Sequence, residues 1–140
     1  MLNCDPADLI GKQAVRTIIA AGEAGGAIES ALAVMPTGQL LELIEGTAYD
    51  FVIQYLTPGH RTVGLAVEFR HTAATPSGQP VTVTLSLVAV KGREFVFEVV
   101  VSDELDVVCT GTYSNYVVNI DRFNARVASR FAEIKARSAA

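Results

Sequence analysis

The stretch MPTGQLLELIEGTAYDFVIQYL, residues 35–56, decides the fold of this chain. Its apolar residues recur at helical spacing and cover more than half of a helix circumference: Leu40, Leu41, Leu43, Ile44, Ala48, Phe51, Val52, Tyr55 and Leu56. Thr37 is placed to act as the N-cap of this helix, and Pro58-Gly59 is placed to stop it. The pattern predicts a long, largely buried helix on which the other elements pack.

Strand patterns flank this helix on both sides. A short strand is predicted at residues 14–20, and alternating apolar and polar residues predict four more at 63–74, 80–90, 93–102 and 106–119. Turn residues at Pro76-Ser77-Gly78, Lys91-Gly92 and Asp103-Glu104 join the last four, which favours an antiparallel meander. Residues 21–34, AGEAGGAIESALAV, are predicted to be a small-residue connection that includes a helical turn.

The tail from Asp121 predicts an amphipathic surface helix. Phe123, Val127, Phe131 and Ile134 share one face, while Arg122, Arg126 and Arg130 are spaced by four on another. No repeat or linker divides the chain, so residues 1–140 are predicted to form one domain. A long helix among antiparallel strands indicates an α+β fold, with a curved sheet wrapped around the central helix.

Composition and charge narrow the classes of function. The chain has 140 residues, 50% of them hydrophobic, and such an apolar excess indicates a subunit interface. A net charge of −4 disfavours nucleic acid and anionic membranes as partners, which leaves a small-molecule ligand. Two cysteines, Cys4 and Cys109, and two histidines, His60 and His71, are too few for a disulfide framework or a metal cluster. The start MLNCDPADLI resembles no secretory signal, and no apolar run reaches bilayer length, so we expect a cytoplasmic protein.

Three polar residues, Thr37, Glu45 and His71, are the candidate site residues. His71 follows Val63, Leu65, Val67 and Phe69 in alternation, so its ring should point inward. Glu45 lies in the middle of an apolar helix, where burial of its carboxylate would require a partner. Purely structural interpretations are also open, because Thr37 can be a helix cap and His71 a hydrogen-bonded core residue. Glu42, three residues before Glu45, is the alternative, solvent-facing acid.

Taken together, these residues are suited to acyl transfer. A buried Glu45 could accept a hydrogen bond from His71, while the amides of Gly38 and Gln39 could polarise a bound carbonyl. Thr37 would be either the nucleophile or the group that positions a water molecule. Thr37 and Glu45 are eight residues apart, about 12 Å along a helix. Substrate or water must therefore lie between them, or two subunits must contribute to one site.

Four segments of the chain resemble the fluoroacetyl-CoA thioesterase family of hot-dog proteins over about residues 35–127. These segments are HTAATPSG from residue 71, the span from Thr37-Gly38 to Glu45, GTY from residue 111 and FNARV from residue 123. The resemblance implies a hot-dog fold, a homodimer with its active site at the subunit interface, and hydrolysis of a short acyl-CoA thioester. It also implies that Thr37, Glu45 and His71 are catalytic, that Gly64 lies beside the acyl group, and that coenzyme A enters only as part of the substrate.

Two departures from the family pattern concern the acyl group. Residues 21–34 form a shorter lid segment without aromatic residues, and Asn115 stands where the fluoroacetyl-specific enzyme carries an arginine. A general acyl thioesterase, or one for a different acyl group, is therefore expected. The alternatives are a non-catalytic acyl-CoA-binding module and an enoyl-CoA hydratase-like enzyme. The cations Lys91 and Arg93 and the arginine row from Arg122 to Arg130 fit either phosphate contacts or a solvated face, and we favour the solvated face for most of the row.

Overall fold

A computed structural model describes residues 1–21 and 33–139 of the chain. The predicted connection at residues 21–34 thus lies almost entirely outside the described residues. A short 3-10 turn at Pro6–Asp8 precedes five strands and two helices. In chain order these are β1 (Gln13–Ile19), α1 (Thr37–Ile53), β2 (His60–His71), β3 (Pro80–Lys91), β4 (Glu94–Ser102), β5 (Val107–Asn119) and α2 (Ile120–Ala139).

The five strands form one antiparallel sheet in the order β1-β3-β4-β5-β2. The predicted meander is correct for β3, β4 and β5 but wrong for β2, which pairs with β5 at the sheet edge. Eight residues, 72–79, connect β2 to β3, and such a segment can extend about 27 Å. It is therefore long enough to leave the edge and pass over intervening strands, whereas a hairpin turn would have forced β2 beside β3.

Helix α1 packs one face against the sheet. Its buried residues form a continuous stripe: Leu40, Leu43, Ile44, Thr47, Ala48, Phe51 and Val52. Phe51 meets Phe97 of β4 edge-to-face, with ring centroids 5.8 Å apart. Each fully buried apolar side chain of this kind stabilises the fold by roughly 1.5–3 kcal/mol. The predicted central helix is confirmed, and its remaining face stays open beside β2.

The ends of α1 differ from the prediction. Pro36 is the N-cap, and Thr37 is the first helical residue, so its hydroxyl makes no capping bond. The helix also ends at Ile53, five residues before Pro58, because the amides of Gln54 and Tyr55 both turn back to the carbonyl of Val52. Pro58 and Gly59 instead shape the turn into β2, where Gly59 adopts a φ of 86°.

A β-bulge between Gly64 and Ala66 changes which residues of β2 face α1. Before the bulge, the helix-facing residues are Thr62, which is buried, and Gly64. After it, Val67 lies opposite buried Tyr113 and His71 lies opposite buried Cys109, so both face the helix. The expected inward direction of His71 is therefore found, but Val63 and Leu65 do not share its face.

Helix α2 leaves the end of β5 and buries none of its residues. Val127, Phe131 and Ile134 are between 49% and 67% exposed, which agrees with the predicted amphipathic surface helix. Within the described part of the chain, neither helix has the length and apolar character needed to cross a bilayer.

Candidate active site

Thr37 and His71 meet where α1 begins and β2 ends. The Thr37 Oγ1 lies 3.0 Å from His71 Nδ1, although the residues are 34 positions apart in the chain. Because Pro36 holds the N-cap position, the threonine hydroxyl is available to the imidazole. A neutral ring protonated at Nε2 would accept the hydroxyl proton at Nδ1. This is the contact that a hydroxyl nucleophile, or a hydroxyl that orients water, makes with its base.

The second ring nitrogen of His71 lacks a partner. Its Nε2 is buried and forms no hydrogen bond to any described residue. A buried donor left unpaired costs about 1–3 kcal/mol, so this nitrogen is a position where another group is needed. The predicted bond between Glu45 and His71 is not made within one chain, since the recorded partner of the ring is Thr37.

Glu45 lies on the open side of α1. Its predicted burial is wrong for the single chain, in which the residue is exposed. The buried stripe of the helix includes Ile44 and Thr47. Glu45 follows Ile44 directly, and the helix rotation between neighbouring residues places its side chain outside the stripe. The carboxylate forms no salt bridge with any described residue. An acid in this position is free to act in a site formed with another molecule.

A groove of about 650 Å³ runs between α1 and β2. The candidate residues Gly38, Glu45 and Gly64 all line it, together with Tyr113. This volume is within the usual range for small-molecule sites. Three of the predicted residues therefore share one cavity, while Thr37 and His71 form a separate contact near the start of the same helix.

Gly64 leaves space between two polar side chains. A Cβ atom at this position would lie 3.1 Å from the Tyr113 hydroxyl oxygen and 3.5 Å from Glu45 Oε2. Burial, and secondly the negative charge of Glu45, raise the pKa of Tyr113 to about 12. The phenol therefore stays protonated and can donate a hydrogen bond near the carboxylate. Sequence analysis did not select Tyr113, although inward alternation along β5 was the available signal.

The start of α1 has one of the two expected amide donors. The Gln39 amide donates to the Pro36 carbonyl at 3.0 Å, so it is already occupied, contrary to the prediction. The Gly38 amide belongs to the first helical turn, where helix geometry leaves donors unpaired, and Gly38 lines the groove. The positive end of the helix dipole adds to this donor, which suits a developing oxyanion.

Two further groups complete the surroundings of the site. Asn115, the register partner of Gly64, is buried, and neither atom of its side-chain amide has a partner among the described residues. Cys109, opposite His71, is a buried free thiol whose pKa is raised by burial to about 11. Across residues 1–21 and 33–139, no three metal-binding side chains come together.

Comparison with known proteins gives consistent matches. The family model described as fluoroacetyl-CoA-specific thioesterase matches residues 16–121. The fluoroacetyl-CoA thioesterase of Streptantibioticus cattleyicolor is 37% identical over 97 residues, which cover 69% of this chain and 70% of that protein. A variant of the fluoroacetyl-CoA thioesterase in complex with acetyl-CoA superposes with a TM-score of 0.78 at 29% identity, covering 86% of this chain and 97% of that one. A hot-dog-like protein from Thermanaerovibrio acidaminovorans superposes with a TM-score of 0.81 at 25% identity, covering 91% and 98%.

Proposed function

The chain belongs to the fluoroacetyl-CoA-specific thioesterase family, and we propose that Thr37, Glu45 and His71 are the groups with which it hydrolyses a small acyl-CoA thioester. It has the hot-dog fold and is a thioester hydrolase. The observation that carries the assignment of residues is the 3.0 Å contact between the Thr37 hydroxyl and the His71 ring. Coenzyme A enters as part of the substrate, and we propose no further cofactor.

In the proposed reaction, the Thr37 hydroxyl or a water molecule held by it attacks the thioester carbonyl carbon. His71 takes the proton of the attacking oxygen, and the carbonyl oxygen, as it becomes negative, accepts a hydrogen bond from the Gly38 amide. Collapse of the tetrahedral intermediate breaks the C–S bond, and the proton on His71 passes to the departing thiolate. If Thr37 itself attacks, water then hydrolyses the acyl ester by the same steps.

We propose that the working form is a homodimer whose active sites lie at the subunit interface. The unpartnered Nε2 of His71 and the exposed carboxylate of Glu45 both favour this, because each lacks in one chain what the other could supply across an interface. Leu65 and Val67 are 55% and 45% exposed on edge strand β2, and an apolar sheet edge favours association. We expect Glu45 to act on the threonine and histidine of the opposite subunit.

A thiol-release screen tests the activity directly. Wild-type protein should release coenzyme A from short acyl-CoA thioesters, and the screen should include halogenated and aromatic acyl groups. Because residues 21–34 and Asn115 differ from the fluoroacetyl-specific pattern, we expect either a broad preference among small acyl groups or a preference for an acyl group other than fluoroacetyl. Tight binding of coenzyme A without any thiol release would instead favour a non-catalytic binding module. Cytoplasmic location and a single domain over residues 1–140 stay predictions.

A further inference from the structure

A second cavity, of about 240 Å³, lies at the base of α2. We call it the arginine cleft, because Arg93, Arg122 and Arg126 line it, with Tyr116 and Phe123 as its aromatic walls. None of the three guanidinium groups forms a salt bridge with a described residue. The nearest recorded contact is a long bond of 3.5 Å from Arg93 to the Val117 carbonyl. Three unpaired cations facing one cavity are suited to binding an anion.

The distribution of charge supports an anionic ligand at this place. Helix α2 carries five cations and two acids, so it has a net charge of +3. The chain as a whole has eleven cations and fifteen acids, which leaves six cations and thirteen acids, a net charge of −7, outside α2. An anionic substrate would be repelled by most of the molecular surface and attracted to this helix.

We propose that the arginine cleft binds the phosphate groups of coenzyme A. The proposal rests on the acyl-CoA thioesterase function given above and adds a binding site to it. Guanidinium groups bind phosphate oxygens through paired, charge-assisted hydrogen bonds, and the rings of Tyr116 and Phe123 offer surfaces on which an adenine can stack.

The position of the cleft fits a coenzyme whose acyl end lies at Gly64. Val117 and Val118 of β5 line the cleft. Their partners on β2, Thr62 and Arg61, line the groove between α1 and β2. Asn115, which is paired with Gly64, is three residues from Val118, or about 10 Å along β5. This offset along the strand is shorter than an extended pantetheine arm.

The cleft spans the end of the family match. Arg93 and Tyr116 lie before residue 121, where the match ends, and Arg122 and Arg126 lie after it, although the resemblance in FNARV extends through Arg126. The structure also divides the arginine row, because Arg130 faces a different hollow, formed with Glu133, Ile134 and Arg137. The solvated-face interpretation therefore fits Arg130, and a substitution there is a matched control on the same helix.

Calorimetric titration of the full-length protein tests the site without any dependence on turnover. We expect the double variant Arg122→Ala/Arg126→Ala to bind coenzyme A and adenosine 3′,5′-bisphosphate at least about tenfold more weakly than wild type, since it loses two charge-assisted contacts to phosphate. Arg130→Ala should stay within about twofold of wild type. Unchanged coenzyme A affinity in the double variant would overturn the proposal. If the double variant bound inorganic pyrophosphate more weakly but coenzyme A normally, the assignment to coenzyme A would be overturned.

Kinetics separate a failure of this inference from a failure of the proposed function. With acetyl-CoA, the double variant should show an increased KM and a retained kcat. With S-acetylpantetheine, which lacks the adenosine phosphates, wild type and variant should be equal. If wild type cleaves both thioesters and the variant is unchanged on acetyl-CoA, the arginine cleft is not the phosphate site. If wild type cleaves neither while the titrations change as expected, the cleft stands and hydrolysis of these thioesters fails.

Discussion

The Thr37 hydroxyl oxygen and the Nδ1 of His71 lie 3.0 Å apart, at the start of α1 and the end of β2. Neither side chain is committed elsewhere, because Pro36 rather than Thr37 caps the helix and the other nitrogen of His71 has no partner among the described residues. The pair is therefore held in a position where proton transfer between its members is geometrically possible.

Substitution of Thr37 tests this pair. Thr37→Ala should lower kcat for acyl-CoA hydrolysis by about 100-fold or more, because it removes either the nucleophile or the group that orients water. Thr37→Ser retains the hydroxyl and should keep most of the activity. The measurement is thiol release at saturating substrate, with circular dichroism to check folding. A Thr37→Ala variant of near-normal rate would exclude the proposed role.

Mixed dimers test which subunit supplies Glu45. Thr37→Ala and Glu45→Gln chains should each be nearly inactive as homodimers. A purified dimer with one chain of each kind should regain about half of the wild-type rate, because one of its two sites then has both residues intact. Differently tagged, co-expressed chains make this dimer accessible. If Glu45 acts within its own chain, both sites carry a defect and the mixed dimer stays inactive.

Filling the space above Gly64 should slow the reaction. Gly64→Ala would place a methyl group 3.1 Å from the Tyr113 hydroxyl and 3.5 Å from Glu45, so kcat/KM should fall while the protein stays folded. Tyr113→Phe removes the nearer atom, and the double variant should recover part of the loss. Comparison of the two single variants with the double variant gives the coupling between the positions. Strictly additive effects would contradict the proposed steric contact.

Gly111 should be essential for stability. A Cβ atom there would lie 2.1 Å from the Glu68 carbonyl oxygen and 2.5 Å from the Cα of Phe69, which are backbone atoms of paired strand β2. Gly111→Ala should therefore lower the free energy of unfolding by roughly 3 kcal/mol, the upper part of the overpacking range. Urea unfolding monitored by circular dichroism measures this change. The adjacent exposed residue gives the control, since Thr112→Ala should have little effect.

Alkaline pH should destabilise the fold through two buried groups. The pKa values of Cys109 and Tyr113 are raised to about 11 and about 12, from 9.0 and 10.0. Above the ordinary pKa values of 9.0 and 10.0, these two groups lose their protons in the unfolded chain but keep them in the folded chain. The free energy of unfolding is therefore unaffected at neutral pH and decreases as the pH rises from about 9 to 12. Cys109→Ala/Tyr113→Phe should show a flatter dependence of the melting temperature on pH. An equal slope in this variant would assign the loss to other groups.

Local patterns predicted the elements well and their arrangement less well. The helical spacing from Leu40 to Val52 and the alternation in the strands have direct physical causes within each segment, and these elements were found. The place of β2 depends on pairing with β5, whose partner residues lie 38 to 59 positions later in the chain, and no local pattern records this pairing. The turn signal at Pro76-Ser77-Gly78 therefore predicts a hairpin between β2 and β3 that the structure does not contain.

The candidate site shows the same division. Thr37 and His71 come together as the inward direction of His71 suggested, whereas the exposure of Glu45 depends on how far around the helix the buried stripe extends. The apolar neighbours of Glu45 made burial the natural expectation. Tyr113 was missed because a tyrosine in an alternating strand is ordinary core material, and only the three-dimensional approach of Glu45 and Gly64 distinguishes it.

The bulge in β2 makes this strand more sensitive to length than to composition. Leu65 is the extra residue of the bulge, and it moves the helix-facing positions from Thr62 and Gly64 to Val67 and His71. A one-residue insertion or deletion between Ala66 and His71 would shift the later residues by one position relative to β5, and His71 would then point away from Thr37 even though no chemical group had been lost. Insertions and deletions in this short segment should therefore be far less tolerated than amino-acid replacements at its exposed positions.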